Sequence, residues 1–213
     1  MMSYPLLDVR VSTPTLELRG ATDELLDQLA DVVRAGKTHA DPAPYDDPIS
    51  FYEPDPDLRV AKWLRAIWRG RGKVEADAWR LYLVVVVVVD GQPVGMQNLY
   101  GVSFSTFGTV TTFSWLSADH RGRGLGHGSN AISRDLGYEP NGSDWATRQG
   151  EPALLNRWRL TRGNWEQRRR DNFRLHNIEA CRTSLPLSGR DQNVRNSRHE
   201  RADGHGDLTE RPA

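Results

Sequence analysis

The 213-residue chain has little of several features that would place it in a familiar class of proteins. Its one cysteine, Cys181, cannot form an internal disulfide, so we expect a protein of the reducing cytoplasm. The 28 Lys and Arg residues balance the 28 Asp and Glu residues, which argues against nucleic acid or a membrane surface as a partner. The longest apolar run, residues 81–89, is much shorter than the ~20 residues of a membrane span. The N-terminal region lacks the apolar stretch of a signal peptide.

Metal ligands are also absent as a set. The six histidines are scattered along the chain, and none stands at metal-site spacing from the cysteine or from a group of carboxylates. We therefore expect no metal cofactor.

The first third of the chain predicts a strand followed by two helices. Residues 15–19 alternate between apolar and polar, which is typical of a half-buried strand. Thr22 can cap a helix that ends at Gly36. After a proline-rich loop, a second helix is predicted over residues 58–68. Four residues form its predicted apolar face: Val60, Leu64, Ile67 and Trp68.

Basic residues line the other face of the second helix and the turn that follows it. They are Arg59, Lys62, Arg65, Arg69, Arg71 and Lys73. Such a run of charge is ordinarily a solvated surface. The alternative is a rim that attracts the phosphates of a nucleotide.

Residues 79–116 predict an antiparallel meander. The first strand, 79–89, contains six consecutive valines, which favour a strand buried on both faces. Asp90-Gly91 is a two-residue hairpin turn, and the return strand covers about 93–100. A further strand is predicted over 109–116. Together with the helices, this pattern indicates an α/β protein with helices packed on a sheet.

A glycine-rich loop follows the last strand of the meander. It contains Arg121, Gly122, Arg123, Gly124 and Gly126. Because glycine has no Cβ, the N–H groups of such a loop can approach an anion closely, and the start of a following helix favours phosphate. A simple surface turn is the alternative, and the loop alone does not decide between the two.

The order of these motifs resembles the GNAT superfamily of acyl-CoA-dependent N-acetyltransferases. The similarity extends from about residue 15 to residue 161, and its specific parts are Arg121-x-x-Gly-x-Gly and the ending Leu136-Gly-Tyr. The resemblance implies a mostly antiparallel central sheet with flanking helices. It also implies acetyl-CoA as co-substrate and an amine of a small molecule or protein as acceptor.

The resemblance also implies a set of site residues. The loop residues Arg121, Gly122, Arg123, Gly124 and Gly126 would bind the pyrophosphate of acetyl-CoA. The backbone of Trp115 and Leu116 would pair with the pantetheine amides, although plain core packing is an equal alternative for Trp115.

The chemical roles are harder to assign. Ser133 stands where many relatives place a tyrosine acid for the leaving thiolate, although it could equally be a surface hydroxyl. A general base for the amine cannot be assigned, because no carboxylate lies in 109–116. Asp119 is the nearest candidate, and a salt-bridged or solvated carboxylate is the alternative.

The resemblance is interrupted between Gly126 and Asn130. Relatives have a helix and a strand at this place, so about 20 residues are missing here. We therefore expect a fold that lacks one helix and one strand, with 125–136 as a substitute helix. Two functions stay open: an N-acetyltransferase, or a non-catalytic remnant that binds an acyl-CoA or a protein partner. A homodimer is compatible with either.

The predicted organisation is one GNAT-like domain and an extension. The domain covers residues 1–162, is incomplete between 126 and 130, and ends in strands over 144–148 and 155–160. A basic helix is predicted within 163–185. Residues 186–213 have almost no apolar side chains and are predicted to be a disordered tail.

Overall fold

A computed structural model shows an α/β arrangement of strands and helices. It describes residues 4–36, 53–73, 80–120, 123, 134, 136–168 and 171–181. The strands in this part of the chain are β1 (Arg10–Ser12), β2 (Glu17–Gly20), β3 (Arg80–Val89), β4 (Gln92–Val102), β5 (Thr111–Leu116), β6 (Glu139–Arg148), β7 (Glu151–Arg159) and β8 (Arg174–His176). The helices are α1 (Asp23–Ala35), α2 (Pro56–Arg71), α3 (Phe104–Phe107), α4 (Arg162–Arg168) and α5 (Ile178–Cys181). Short 3₁₀ turns cover Pro5–Asp8 and Ala118–His120.

The main sheet has six antiparallel strands in the order β5-β4-β3-β2-β1-β8. The predicted meander is present, because β3 pairs with β4 and β4 pairs with β5. Asp90 and Gly91 join β3 to β4 with φ angles of 51° and 78°, the left-handed conformation of a type I′ turn. The predicted mostly antiparallel sheet is thus confirmed.

Two helices cover one face of this sheet. The hydroxyl of Thr22 accepts from the Leu25 N–H at 3.3 Å and starts α1, and Gly36 ends it, as predicted. The carboxylate of Asp55 accepts from the Leu58 N–H at 2.8 Å and starts α2. The core between sheet and helices includes Leu26, Leu29, Val33, Val60, Trp63, Ile67, Val86, Val88, Met96 and Trp115.

The apolar face of α2 differs from the prediction at one tryptophan. Trp63 is fully buried, whereas Trp68 is 50% exposed. Both residues fit a helical stripe, but the sheet lies on the side of α2 that carries Val60, Trp63 and Ile67. The sequence periodicity does not reveal which of two overlapping stripes faces the sheet.

The β6–β7 hairpin forms a second, two-stranded sheet. The predicted strand over 144–148 begins earlier, because residues 139–142 also belong to β6, which carries a bulge between Pro140 and Ser143. The turn at Gln149 and Gly150 is present, with φ angles of 55° and 82°. In the described part of the chain, β7 pairs with β6 and not with β5.

The described residues after 162 do not form the single basic helix that the sequence predicted within 163–185. They contain the short helix α4, the strand β8, which pairs with β1, and the single turn α5. Cys181 at the end of α5 is buried against Leu6 and Val9, and its thiol donates to the carbonyl of Pro5 at 3.1 Å. Burial raises the pKa of this thiol. The predicted disordered tail, 186–213, lies outside the described residues. No helix in the described ranges is long and apolar enough to cross a membrane.

Candidate functional site

The predicted cofactor strand, β5, is the outermost described strand at one end of the main sheet. Trp115 stands opposite Met96, and Leu116 stands opposite Gly95. The Trp115 side chain is 7% exposed and packs in the core beneath the two long helices. Core packing therefore accounts for the side chain of Trp115, while a cofactor role for its backbone stays a prediction.

Gly95 allows β4 and β5 to approach closely at this point. A Cβ on Gly95 would overlap the carbonyl oxygen of Trp115 and would lie 2.8 Å from Cδ2 of Leu116. No larger residue fits without moving β5, since both contacts are tight and one is with backbone. The position of the predicted cofactor strand thus depends on this glycine.

Hydrogen bonds hold the turn that connects β5 to the glycine-rich loop. The Ser117 N–H donates to the Val94 carbonyl at 2.8 Å, and the His120 N–H donates to the Ser117 carbonyl at 3.1 Å. The Ser117 hydroxyl and Nδ1 of His120 are 2.9 Å apart and share a hydrogen bond. Asp119, in the same turn, is exposed to solvent. The chain therefore enters the loop region from a fixed turn.

Only one of the five predicted loop residues is described. Arg123 is exposed in a bend, where its guanidinium can reach solvent anions. Arg121, Gly122, Gly124 and Gly126 lie outside the described residues, as does the predicted acid Ser133. The substitute helix expected over 125–136 and the junction at 126–130 also fall there, apart from Arg134 and Leu136.

The Leu136-Gly-Tyr ending is a tightly built junction before β6. Gly137 is buried with a φ of 86°. Its carbonyl accepts from the side-chain amide of Asn164, which also donates to Glu139, both at 3.0 Å. A Cβ on Gly137 would lie 2.9 Å from Cδ of Arg168. This junction fixes α4 against the start of the β6–β7 hairpin.

Three of the six basic residues along α2 and the following turn have described partners outside that helix: Arg59, Lys62 and Arg71. The guanidinium of Arg59 donates to the carbonyls of Arg34 at 2.9 Å and Glu53 at 2.8 Å, so it joins the end of α1 to the start of α2. Lys62 forms an ion pair with Glu53, and Arg71 pairs with Asp23 at 2.7 Å.

The Lys62 ammonium lowers the pKa of the Glu53 carboxyl. These contacts favour a structural role for Arg59, Lys62 and Arg71 over a phosphate-attracting rim.

Sequence reasoning missed one polar residue close to the predicted cofactor strand. Asn98 in β4 is 8% exposed and is the one buried polar residue among those the structure describes. It pairs with Phe113 of β5 and faces the same side of the sheet as Met96. Its side-chain carbonyl oxygen is buried without a hydrogen-bond partner among the described residues. The sequence gives no clear signal for it, because its core-facing position becomes visible only once Met96, two residues earlier, is known to lie in the core.

Comparison with solved structures identifies the fold. The chain is similar to RimJ of Mycobacterium smegmatis in complex with CoA-disulfide, at 15% identity and a TM-score of 0.52, over 74% of this chain and 90% of RimJ. A putative ribosomal-protein-serine acetyltransferase from Vibrio cholerae aligns at 15% identity and a TM-score of 0.47, over 71% and 97% of the two chains. RimL, a ribosomal L7/L12 alpha-N-protein acetyltransferase in complex with coenzyme A, aligns at 14% identity and a TM-score of 0.48, over 68% and 93%.

No family model matches the sequence. The likeness to RimJ shows that this chain has the GNAT fold, as the sequence motifs predicted.

Proposed function

We propose that this protein is an N-acetyltransferase that transfers the acetyl group of acetyl-CoA to a primary amine of a protein or small molecule. The observation that carries the proposal is the GNAT fold together with an Arg-x-x-Gly-x-Gly sequence after β5, the outermost described strand of the main sheet. RimJ, which has the same fold, was solved with a CoA-disulfide bound. Because a fold alone does not specify chemistry, the proposal also depends on the loop, whose sequence is suited to binding a pyrophosphate.

The proposed reaction needs one new bond and one broken bond. The nitrogen of the neutral amine forms a bond to the carbonyl carbon of the thioester, and the carbon–sulfur bond breaks. The amine loses a proton to solvent or to a base, and the departing thiolate of coenzyme A takes up a proton. Ser133 is our proposal for the group that supplies this proton.

The cofactor would bind along β5 and at the glycine-rich loop. We assign the pyrophosphate to the backbone N–H groups of Arg121, Gly122, Arg123, Gly124 and Gly126. The pantetheine arm would run back along β5 beside Trp115 and Leu116. The exposed position of Arg123 and the fixed turn before the loop support this assignment.

Calorimetric titration with acetyl-CoA tests the cofactor assignment. Gly124→Val and Gly126→Val place branched side chains where the pyrophosphate must approach, so both should weaken binding at least tenfold. Gly163→Val in α4 is the matched control, because no described atom lies within 4 Å of a Cβ added there. Unchanged binding in both loop variants would show that the loop assignment is wrong.

Thiol release over a panel of amines then tests turnover. Acetyl-CoA-dependent release with at least one amine is the expected result. Binding of acetyl-CoA without release for any amine would contradict the enzymatic proposal and favour a protein that only binds the acyl-CoA.

A further inference from the structure

Asn98 combines three properties that a structural residue of a sheet rarely has together. It is polar, it lies on the face covered by α1 and α2, and its carbonyl oxygen has no hydrogen-bond partner among the described residues. A buried acceptor without a donor destabilises a protein, because the group has lost its hydrogen bonds to water. Such a group in a native structure calls for a ligand or an ordered water.

The position of Asn98 relates it to the proposed cofactor strand. Asn98 stands directly opposite Phe113 in β5, and residues paired in this way have Cβ atoms about 5 Å apart. Trp115, two residues further along β5 toward the loop, stands opposite Met96 on the same face. A cofactor whose phosphates lie at the loop and whose arm runs back along β5 brings its acyl end toward Phe113. Asn98 then lies on the strand that pairs with β5 at this end of the arm, with its side-chain oxygen buried.

The chemistry of Asn98 defines what it can bind. A side-chain carbonyl oxygen accepts hydrogen bonds, so its ligand must present a donor, and a cationic donor binds more strongly than a neutral one. The acceptor of an N-acetyltransferase presents such a donor, an ammonium or amine N–H. Resting on the proposed function, we infer that the side-chain carbonyl of Asn98 binds and orients the amine that is to be acetylated.

A neutral amide in this place has a consequence for the amine. A carboxylate would stabilise the ammonium form and would hold its proton, because an opposite charge nearby favours the charged state. Removal from water disfavours the ammonium form and lowers the pKa of the amine. Asn98 is a neutral acceptor, and β5 contains no carboxylate. Desolvation at this site therefore favours the neutral form of the amine over the ammonium form.

Peptide binding tests the inference separately from turnover. Peptides beginning with each of the twenty amino acids would be prepared with a free and with an acetylated N-terminus. Their dissociation constants would be measured in the presence of coenzyme A. We expect the wild type to bind at least one free-amine peptide about 10- to 100-fold more tightly than its acetylated form. Asn98→Leu should reduce this ratio to near one and should leave acetyl-CoA affinity unchanged within twofold.

Two further variants distinguish hydrogen bonding from packing. Asn98→Asp keeps an acceptor oxygen at the same place and should retain a preference for the free amine. Met96→Leu, on the same strand and face, changes packing only and should leave the ratio unchanged.

The inference is overturned if the wild type shows no preference for any free-amine peptide. It is also overturned if Asn98→Leu keeps the preference, or if Asn98→Asp loses it together with Asn98→Leu. Failure of acetyl-CoA binding, measured in the same preparations, would instead overturn the proposed function.

Discussion

Gly20 at the end of β2 lies directly against the backbone of the segment that precedes β1. Its N–H donates to the Val9 carbonyl at 2.7 Å. A Cβ at this position would overlap the backbone of Leu7 and would lie 2.7 Å from the carbonyl oxygen of Leu6. Backbone atoms cannot rotate away as a flexible side chain can, so the whole N-terminal segment would have to move.

Gly20→Ala should therefore lower the free energy of unfolding by about 1–3 kcal/mol, the usual cost of overpacking. Gly163→Ala is the control, because it adds a methyl group to a helix where no described atom is near. That variant should be neutral or stabilise by up to about 1 kcal/mol. Urea denaturation of both variants measures the difference, and equal stabilities would contradict the contact at Gly20.

A second residue-scale prediction concerns Glu53 and pH. Lys62 lowers the pKa of the Glu53 carboxyl in the folded protein. The pair therefore stabilises the fold fully above the unfolded pKa of about 4.3, and this contribution is lost as the pH falls through the lowered folded value. Glu53→Gln should lower the melting temperature at pH 7 and should lower it by less at pH 3, because protonation of the carboxyl removes the pair as the pH falls. A difference of the same size at both pH values would contradict a role for the charge.

At the scale of elements, Arg59 joins the two helices that cover the sheet. Its guanidinium donates to the carbonyl of Arg34 near the end of α1 and to that of Glu53 just before α2. Carbonyls at the end of a helix lack partners within the helix, so a cation here satisfies them and also complements the helix dipole.

Arg59→Ala should lower the free energy of unfolding by about 1.5–3 kcal/mol, the range for hydrogen bonds to charged groups. Arg65→Ala is the control, since the described contact of Arg65 is with the Ala61 carbonyl of its own helix. The control should change stability by about 0.5 kcal/mol or less. Thermal or urea unfolding of the pair measures the contrast, which would be absent if Arg59 were only a solvated charge.

Elements with strong local signals were predictable from the sequence. The cap at Thr22, the stop at Gly36 and the turn at Asp90-Gly91 are set by short-range chemistry, and all three occur where predicted. The three-residue strands β1 and β8 are too short to show a period, and they form because each completes a pairing with a distant segment. The choice of Trp63 over Trp68 for the core likewise depends on where the sheet lies.

The whole molecule depends on its last described segment. β8 pairs with β1 at the edge of the main sheet, and the Asn177 side chain donates to the Asp8 carbonyl at 2.9 Å. Cys181 is buried with Leu6 and Val9. Residues 171–181 are therefore part of the folded unit and cover its N-terminal strand.

Truncation after residue 173 should lower the melting temperature strongly, because it exposes the edge of β1 and the apolar side chains beneath α5. Truncation after residue 185 should leave it nearly unchanged, because the residues removed include few apolar side chains. Calorimetry of both truncated proteins and the full chain measures the two shifts. Equal shifts for the two truncations would contradict the assigned role of β8 and α5.

The candidate site was only partly accessible to prediction. The sequence motifs predicted the GNAT fold, which the likeness to RimJ confirms, because ordered motifs constrain topology even at low identity. The role of β5 as the cofactor strand stays a prediction. Asn98 escaped notice because a single polar residue in a strand carries no spacing signal. Its significance depends on the helices above it and on the strand beside it, which meet only in the folded chain.

The pairing of β8 with β1 also constrains how the chain is made. Arg10 and His176 are partners, so the outer edge of β1 has no neighbour until residues 174–176 have been synthesised. A nascent chain on the ribosome carries the outer edge of β1 and the N-terminal apolar residues uncovered throughout that time, and pairing between such distant segments is slow to form. During translation, therefore, the N-terminal strand is a natural target for chaperones or for premature pairing with another chain.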